Sequence, residues 1–404
     1  MKETRTLVEL YDPDTHIYNA MGVMLLRPRH VAFIVPEHAR AVYNKYRDAY
    51  LELWESRGCV PENVESILTA TSDIHALSDA ISQFAGEGVT LDIEGGTPEL
   101  YLAAGYVYGQ NPGGFSCIRI DFADAKITEY SAVGASVRKF TAEERARVAI
   151  SVPECIRIYG GSIDRDSTAW LRASMTRRQI DDDVMMMWRA MLRRSRHTWN
   201  TVVPDKFHPT GEGSLNVYVN GNDEKIGYVR ALVDDLVSAG ALLPRGQNGT
   251  RRIYKCKSRV VLSCLRKAGE LLELYMNSIA CEISGDDAVS GVCLSFDGEE
   301  GSSDNEIDGI FTLGCLPVFI SCKNGHVGSD ELYKFAAVTS QFGGDAKISI
   351  LVAPSLNAPG GDITPRRIKA VRERAELYRV KIISDIYDIS RREAAAELRR
   401  LCKM

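Results

Sequence analysis

Apolar residues in the first 121 positions form short, nearly continuous runs separated by longer amphipathic segments. The runs are TLVELY, VAFIV, VESILTA, VTLDIE and FSCIRIDF, and residues 38–57 have the periodicity of a long amphipathic helix. Buried strands that alternate with helices are typical of a parallel sheet covered on both faces. The pattern therefore predicts a doubly wound α/β domain over residues 1–160.

Two of the predicted strands end in polar and glycine-rich loops. The segment Asp12-Pro13-Asp14-Thr15 follows the first strand, and Glu94-Gly95-Gly96-Thr97-Pro98 follows the fourth. Ligands of such sheets bind beyond the carboxyl ends of the strands, where glycines let backbone N–H groups approach them. The absence of GK[ST] and GxGxxG patterns argues against nucleotide hydrolysis and dinucleotide binding. A tight turn followed by a helix cap would explain the same residues, so both interpretations stay open.

The middle of the chain, residues 161–262, predicts helices near 177–195 and 224–240 and then a basic segment, ALLPRGQNGTRRIYKCKSR. A helix followed by a hairpin with an Asn-Gly turn resembles a winged-helix module. The cations of this hairpin, which would form an edge suited to phosphates, are Arg251, Arg252, Lys255, Lys257 and Arg259. An ordinary solvated surface is the alternative. We expect this segment to connect the flanking domains and transmit changes between them.

The C-terminal third contains a predicted hairpin with an unusual set of polar residues. EIDGIFTL and VFISCK read as two strands with a bend at 314–315. In-register pairing about this bend would place Asp308 opposite Ser321 and Glu306 opposite Lys323, all on one face. Two carboxylates beside an ammonium can hold a divalent cation and orient water toward a phosphodiester. An ordinary solvated face would explain the same residues without a site. A one-residue slip in register would separate the four side chains.

Composition narrows the possible functions. The 404 residues predict two or three domains, and 45% hydrophobic with 25% charged residues is ordinary for a globular protein. A net charge of −5 means that any nucleic-acid contact must come from a local basic patch. Ten cysteines without a CxxC pair argue against a zinc site and a disulfide framework. The charged N-terminus and the lack of a long apolar run predict a cytoplasmic protein without a membrane partner.

Residues 263–404 resemble a PD-(D/E)xK nuclease core, with an acidic helix residue, an aspartate on one strand and a lysine on the next. The residues concerned are Glu273 in LLELY, Asp308 in NEIDG and Lys323 in ISCK, and FGG at 342–344 precedes a buried strand. The LDIEGGT strand end and the short loop after the first strand resemble a CARF domain, the Rossmann-like sensor of cyclic oligoadenylates in type III CRISPR systems. Together they resemble CRISPR ancillary nucleases that fuse these two domains.

This resemblance implies a site for Mn²⁺ or Mg²⁺ and a sensor pocket. The implied metal ligands are Glu273, Asp308 and the backbone carbonyl of Cys322. Lys323 would be the catalytic lysine, but Ser321 stands where the family has a second acid, with Glu306 as the natural substitute and Glu270 as a weaker one. The implied ligand contacts in the sensor domain are Asp12, Asp14, Thr15, Gly95, Gly96 and Thr97.

The expected function is a metal-dependent nuclease that cuts DNA, with RNA as a second candidate substrate, in type III CRISPR antiviral defence. Its expected activator is a cyclic oligoadenylate, with cyclic tetraadenylate favoured, bound by a homodimer of sensor domains. One alternative is a ligand-responsive DNA-binding regulator with an inactive nuclease fold, which Ser321 favours. The other is a constitutive repair or restriction nuclease whose N-terminal domain recognises a different partner.

Overall fold

The computed structural model describes residues 4–70, 73–131, 133–194, 196–219, 224–285, 288–296, 305–325, 327–357 and 364–402. Within these ranges, seventeen strands form three sheets, and fifteen α-helices pack around them. The mixed α/β class predicted from the sequence is confirmed. None of the helices in the described ranges combines the length and the apolar character needed to cross a membrane.

The N-terminal sheet has seven strands. They are β1 (Thr6–Leu10), β2 (His30–Pro36), β3 (Asn63–Thr69), β4 (Val89–Asp92), β5 (Ser116–Asp121), β6 (Lys126–Ser131) and β7 (Gly134–Lys139). Their order is β3-β2-β1-β4-β5-β6-β7, with the first five parallel and the last two antiparallel. Helices α1 (His16–Leu26) and α2 (Arg40–Ser56) cover one face, and α3 (Ile74–Ser82) and α4 (Pro98–Gln110) cover the other.

The strand order reverses at β1, which lies between β2 and β4. The connections after β1 and β4 therefore leave the sheet on opposite faces, and a crevice forms between them at the carboxyl ends. Helices α1 and α4 begin directly at this crevice. Both loops singled out from the sequence thus meet at the usual ligand-binding position of such a sheet.

The middle of the chain forms a helical unit with a small antiparallel sheet. Helices α5 (Ala142–Arg147) and α6 (Val152–Ile158) lead into it, and Cys155 and Ile158 of α6 are buried in the core of the N-terminal domain. The helices of the unit itself are α7 (Ser167–Arg172), α8 (Arg177–Leu192), α9 (Arg196–Lys206), α10 (Glu224–Ser238) and α11 (Arg259–Arg266). Its strands are β8 (Gly161–Asp166), β9 (Phe207–Thr210), β10 (Ser214–Tyr218), β11 (Leu242–Asn248) and β12 (Arg251–Cys256). The last four make a sheet in the order β11-β12-β10-β9, so the helix and basic hairpin predicted from the sequence are both present.

The C-terminal sheet contains six strands in the order β17-β16-β15-β14-β13-β8. Its other strands are β13 (Val289–Phe296), β14 (Asn305–Leu313), β15 (Leu316–Cys322), β16 (Ile348–Val352) and β17 (Val380–Ile383). The flanking helices are α12 (Glu270–Ser284), α13 (Ser329–Gly343), α14 (Pro365–Leu377) and α15 (Arg391–Leu401). Because β8 pairs with β13, residues 161–166 form the edge of this sheet, although the sequence analysis assigns them to the connector.

The middle unit and the C-terminal sheet share one hydrophobic core. Helices α8, α10, α11, α12 and α15 pack on one face of that sheet in a single continuous cluster. Trp188 of α8 stacks on Tyr275 of α12 with ring centroids 3.8 Å apart. Helices α13 and α14 cover the opposite face. The connector is therefore packed as part of the C-terminal body, and it cannot move without disturbing that core.

The N-terminal and C-terminal sheets meet at the turn between β14 and β15. Cys315 and Leu316 at this turn are buried in the core of the N-terminal domain. The Ile150 N–H donates to the Gly314 carbonyl at 3.1 Å. Tyr159, also in the N-terminal core, donates its hydroxyl to the Gly343 carbonyl at the end of α13, at 2.9 Å. The hairpin that carries the candidate nuclease residues is thus anchored in the other domain.

Candidate nuclease site and sensor pocket

The β14–β15 hairpin has the register considered in the sequence analysis. Leu313 pairs with Leu316, and the ladder runs to Gly309 opposite Ile320. Gly314 in the turn has φ +63°, a conformation that glycine adopts without strain. Asp308 comes one position after Gly309 in this ladder and therefore lies beside Ser321, near the end of β15.

Asp308 is 8% exposed and is surrounded by donors from the end of β15. Its Oδ2 atom accepts the Ser321 hydroxyl at 3.1 Å and the Cys322 N–H at 2.7 Å. The Lys323 Nζ lies 3.5 Å from the same oxygen. Asp308, Ser321 and Lys323 therefore project to one side of the sheet, and a buried carboxylate stands next to an ammonium that solvent can reach.

Helix α12 adds a second carboxylate to this site. Glu273 is 7% exposed, and burial together with the charge of Asp308 raises its pKa from the usual 4.5 to about 7. The Lys267 Nζ lies 3.4 Å from its Oε1 atom and lowers that pKa in turn. Two carboxylates and two ammonium groups are consequently gathered between α12 and the hairpin.

Glu306 does not join Lys323 as the sequence pairing suggests. It lies at the outer end of β14, opposite Cys293 of β13, where its Oε1 atom is 3.3 Å from an Arg165 Nη2 of β8. No ion pair between Glu306 and Lys323 occurs among the described residues. The edge strand β8 thus provides Glu306 with a different partner. Glu270 is buried one turn before Glu273, and its charge contributes to the raised pKa of Glu273.

Cys322 is buried between the two carboxylates. Burial raises the pKa of its thiol well above the usual value, and the charges of Asp308 and Glu273 raise it further. The thiol is therefore held neutral in the metal-free protein, which makes it a poor nucleophile. The resemblance assigns cation binding to the backbone carbonyl of this residue, and that role remains a prediction.

The donor set suits a hard divalent cation held by few protein ligands. The described residues contain no group of three or more His, Cys, Asp or Glu side chains placed to hold a metal ion. Mg²⁺ and Mn²⁺ are nevertheless often held by one or two carboxylates together with the phosphates of a substrate. The repulsion between Glu273 and Asp308, which contributes to the raised pKa of Glu273, would be relieved by a cation between them. The residues present therefore fit such an ion.

The first loop of the N-terminal crevice is shaped by its own aspartate. Asp12 accepts the Asp14 N–H through Oδ1 at 3.0 Å and the Thr15 hydroxyl through Oδ2 at 3.2 Å. Its carboxylate oxygens are thereby turned into the loop. This arrangement lessens the repulsion that Asp12 would otherwise exert on an anionic ligand. The side chain of Asp14 is exposed.

The second loop places two glycines against the end of β1. Gly95 and Gly96 have φ +90° and +91°, and a Cβ at Gly95 would lie 3.0 Å from the Leu10 carbonyl oxygen. Thr97 caps α4 by accepting the Leu100 N–H at 3.5 Å. The loop therefore needs glycines to pack here, and both glycines are buried. The loop leads into the N-terminus of a helix, where anions bind favourably. Thr15 and Gly95 come together across the crevice, since a Cβ at Gly95 would lie 3.8 Å from the Thr15 hydroxyl oxygen.

Two residues that the sequence analysis did not select also border the crevice. Arg119 of β5 pairs with Glu94 at 2.6 Å, and its side chain is half exposed. Tyr101, on the first turn of α4, is exposed on one side; partial burial raises its pKa, and the nearby charges of Glu94 and Asp12 add to this. A cation and an exposed aromatic ring suit a ligand made of phosphates and adenines. Arg119 could have been selected from the sequence because it is a charged residue inside the apolar run FSCIRIDF.

A buried acidic pair lies behind the crevice. Glu9 of β1 is paired in register with Asp92 of β4, and both are fully buried. Burial raises the pKa of each carboxyl well above the usual value, and for Glu9 the charge of Asp92 adds to this. Asn19 donates to Glu9 Oε2 at 3.2 Å and to the Leu10 carbonyl at 3.3 Å. These polar contacts tie the end of β1 to the helix that follows it.

The five cations of the predicted basic edge differ in their surroundings. Lys257 donates to the buried carboxylate of Asp183 at 2.7 Å. Arg259 lies over the ring of Trp170, with its guanidinium carbon 4.6 Å from the ring centroid. Two of the five cations are thus engaged within the protein, while Lys255 is exposed. Nucleic-acid contact by this hairpin remains a hypothesis.

The fold of the whole chain is similar to that of two solved structures. One is Can2 from Sulfobacillus thermosulfidooxidans in complex with cyclic tetra-adenylate, with a TM-score of 0.63 and 16% identity over 100% of this chain and 98% of that one. The other is protein VC1899 from Vibrio cholerae, with a TM-score of 0.69 and 18% identity over 98% of each chain. No protein-family model and no curated protein sequence matches the chain. The likeness establishes a shared fold that includes the N-terminal, middle and C-terminal parts.

Proposed function

We propose that this protein is a cyclic-oligoadenylate-activated, metal-dependent nuclease of type III CRISPR defence, with cyclic tetraadenylate as the favoured activator. The observation that carries the proposal is the convergence of Asp308, Lys323 and Glu273 between α12 and the hairpin. The whole-length likeness to a structure determined with cyclic tetra-adenylate supports the sensor half. DNA is the first candidate substrate and RNA the second.

Each residue of the nuclease site has a role that its surroundings suit. Glu273 and Asp308 would hold Mn²⁺ or Mg²⁺, which supplies Lewis-acid stabilisation of the charge that develops on the phosphate. Lys323 is partly exposed next to Asp308, and its ammonium can orient an attacking water or contact a phosphate oxygen. Ser321, which replaces the family's second acid, donates to Asp308 and so fixes the orientation of that carboxylate.

The activator would bind in the crevice between the loops after β1 and β4. The backbone N–H groups around Gly95 and Gly96 and the N-terminus of α4 suit its phosphates. Arg119 can add a positive charge if a phosphate displaces Glu94 from it. Tyr101 offers a ring on which an adenine can stack. Thr15 and Thr97 stand at the two helix starts that border the crevice.

A direct contact offers a route by which the activator affects the nuclease site. The Asp345 N–H, in the 3₁₀ turn Gly344–Ala346 after α13, donates to the Asp14 carbonyl of the sensor loop at 3.1 Å. Helix α13 starts shortly after Lys323 and ends at this turn. A ligand that favours one arrangement of the sensor loop would therefore bias the position of α13 and the hairpin. This route does not require the middle unit to act as the transmitter.

A homodimer is the proposed working form. Helix α4 leaves the crevice with an exposed apolar face that includes Tyr101, Leu102 and Tyr106. A second copy of the chain would cover this face, and its own crevice would then complete a two-fold pocket. A ligand with rotational symmetry is matched by two copies of one pocket.

The test of the chemistry is nicking of supercoiled plasmid in Mn²⁺ buffer with cyclic tetraadenylate present. We expect Lys323→Ala to lower the nicking rate by at least about 100-fold, as loss of a group that orients the reacting water should. Lys369→Ala is the matched control, because Lys369 pairs with Glu373 on the surface of α14 at 3.7 Å. Equal rates for wild type and Lys323→Ala would refute the proposed site.

A ligand-responsive DNA-binding regulator is the second candidate, because Ser321 occupies the position of an expected acid. It predicts that wild type leaves the plasmid intact with any divalent cation, and that it shifts particular duplex sequences without metal. Ligand-dependent strand breaks that require Lys323 would exclude it.

A further inference from the structure

Lys267 stands at the corner between α11 and α12, on the edge of the proposed nuclease site. Its ammonium lies 3.4 Å from Glu273 Oε1, with 51% of the lysine side chain exposed against 7% of the glutamate. The PD-(D/E)xK resemblance assigns no role to this lysine. Its position nevertheless puts a second cation on one of the two carboxylates that would hold the metal.

The corner that carries Lys267 is firmly held. The Lys267 N–H donates to the Ser263 carbonyl at 3.2 Å, and its own carbonyl accepts the Glu270 N–H at 3.1 Å. Asn324, next to Lys323, donates to the Ala268 carbonyl at 3.5 Å. The backbone on which Lys267 is mounted is therefore tied to the strand end that carries the catalytic lysine, while its long side chain keeps the freedom to move.

The charges around Lys267 are almost all negative. Burial lowers the pKa of its ammonium, but the charges of Glu273, Glu306 and Glu270 together outweigh this and raise it. Lys323, by comparison, is paired with Asp308. In the absence of a divalent cation, each of the two buried carboxylates thus has an ammonium of its own.

We propose that Lys267 is a positioning residue whose ammonium occupies the place of a divalent cation beside Glu273. When a divalent cation binds, the ammonium withdraws toward solvent. This inference rests on the proposed function, since it presumes that Glu273 is a metal ligand. Because an ammonium and a divalent cation repel each other at this distance, the lysine raises the cation concentration at which the site fills. The Lys267 ammonium thereby keeps the Glu273 carboxylate in place without metal, and a divalent cation must displace the ammonium in order to bind.

The test measures Mn²⁺ binding to the full chain without substrate or activator, by electron paramagnetic resonance of free Mn²⁺, at the same mildly alkaline pH for every variant. We expect Lys267→Gln to bind Mn²⁺ about tenfold more tightly than wild type, since the competing charge is gone. Lys267→Arg, which keeps the charge, should bind like wild type. Lys369→Gln removes the lysine of an exposed Lys–Glu pair and is the matched control.

A second measurement covers the stability of the variants. Without metal, Lys267→Gln leaves a buried carboxylate without its ammonium, so its melting temperature should fall, and Mn²⁺ should raise it by more than in wild type. A role in packing alone predicts equal Mn²⁺-induced shifts in both proteins. Equal or weaker Mn²⁺ binding by Lys267→Gln, with wild type binding normally, would overturn the inference and leave the proposed function standing. Failure of wild type to bind Mn²⁺ at this site would overturn both.

Discussion

Asp308 is held in an orientation that would suit the cation proposed for this site. Its hydrogen bonds within the described residues, from the Ser321 hydroxyl and the Cys322 N–H, both fall on Oδ2. The other carboxylate oxygen is left for an additional ligand, and the side chain is held in one orientation by backbone and hydroxyl donors. Such preparation reduces the reorganisation that cation binding requires.

The titration of Glu273 gives the first prediction. Its pKa of about 7 in the folded protein, against a usual 4.5, means that the stability from this group is present below about pH 4.5 and is lost as the pH rises through 7. A shift of this size corresponds to about 3 kcal/mol. Without metal, the melting temperature of Glu273→Gln should therefore exceed that of wild type increasingly between pH 5 and about pH 8. Parallel melting curves across this range would contradict the prediction, and added Mn²⁺ should stabilise only wild type.

The acid pair Glu9–Asp92 gives a second prediction at this scale. Because burial and Asp92 raise the pKa of Glu9, ionising the pair as the pH increases destabilises the folded protein. Glu9→Gln keeps the shape and the acceptor for Asn19 but cannot ionise. Its melting temperature should be higher than that of wild type by roughly 2–4 °C or more at pH 8, and equal at acidic pH. An unchanged difference across pH, measured by circular dichroism, would argue against a buried ionisable pair.

Some of the candidate site residues can be placed from the sequence alone, and others cannot. Alternation along two strands and a tight turn were enough to place Asp308 beside Lys323, because both signals are local. Glu306 was assigned to the same group by the same rule, but Arg165, its partner, comes from a strand 141 residues earlier. The position of Glu273 next to Asp308 depends on helix packing, and only the family resemblance suggested it.

At the scale of elements, the turn of the β14–β15 hairpin lies in the core of the N-terminal domain. The alternation of apolar and polar residues predicts the two strands of the hairpin, and Gly314 predicts its turn. Neither signal predicts that the turn is buried in the N-terminal core. Cys315 and Leu316 read as ordinary turn and strand residues, because a sequence pattern shows that a residue is apolar and not which domain covers it. Strand β8, with the mixed sequence GSIDRD, carries no alternation strong enough to be recognised before its partner is known.

The contact between α13 and the sensor loop gives a prediction at this scale. A Cβ at Gly344 would lie 2.5 Å from the Asp14 carbonyl oxygen, so Gly344→Ala should separate the loop from the turn. The expected result is a several-fold smaller stimulation of nicking by cyclic tetraadenylate, with ligand binding retained.

Gly285→Ala is the matched control for this experiment. Gly285 also follows a helix, with φ 77° and ψ −157° against φ 54° and ψ −146° for Gly344, so both alanines introduce similar backbone strain. A Cβ at Gly285 has no heavy atom within 4 Å among the described residues. Equal loss of stimulation in the two variants would show that strain, and not the contact, is responsible.

At the scale of the molecule, the chain consists of two bodies that meet through the β14–β15 turn, helix α6 and the turn after α13. The N-terminal sheet forms one body, and the C-terminal sheet with the middle unit forms the other, since both of the latter contribute to one core. The sequence indicated the α/β class and the order of the parts. It could not show that the connector is fused to one body, because that depends on residues far apart in the chain.

Dimer formation gives the prediction at this scale. Leu102 is 62% exposed on α4, next to the sensor crevice. Leu102→Glu should shift the protein to a monomer in sedimentation velocity and weaken cyclic tetraadenylate binding by about tenfold or more, because burying an unpaired carboxylate at an interface is costly. Leu377→Glu, on α14 and 74% exposed, is the control. A Leu102→Glu protein that stays dimeric would place the interface elsewhere.

Ligand-activated cleavage is tested by the rate at which the wild-type chain nicks plasmid in Mn²⁺ buffer, measured with and without cyclic tetraadenylate. We predict at least about tenfold faster nicking with the ligand, a typical size for coupling between two sites. The same rate in both conditions, or no nicking in either, would contradict it.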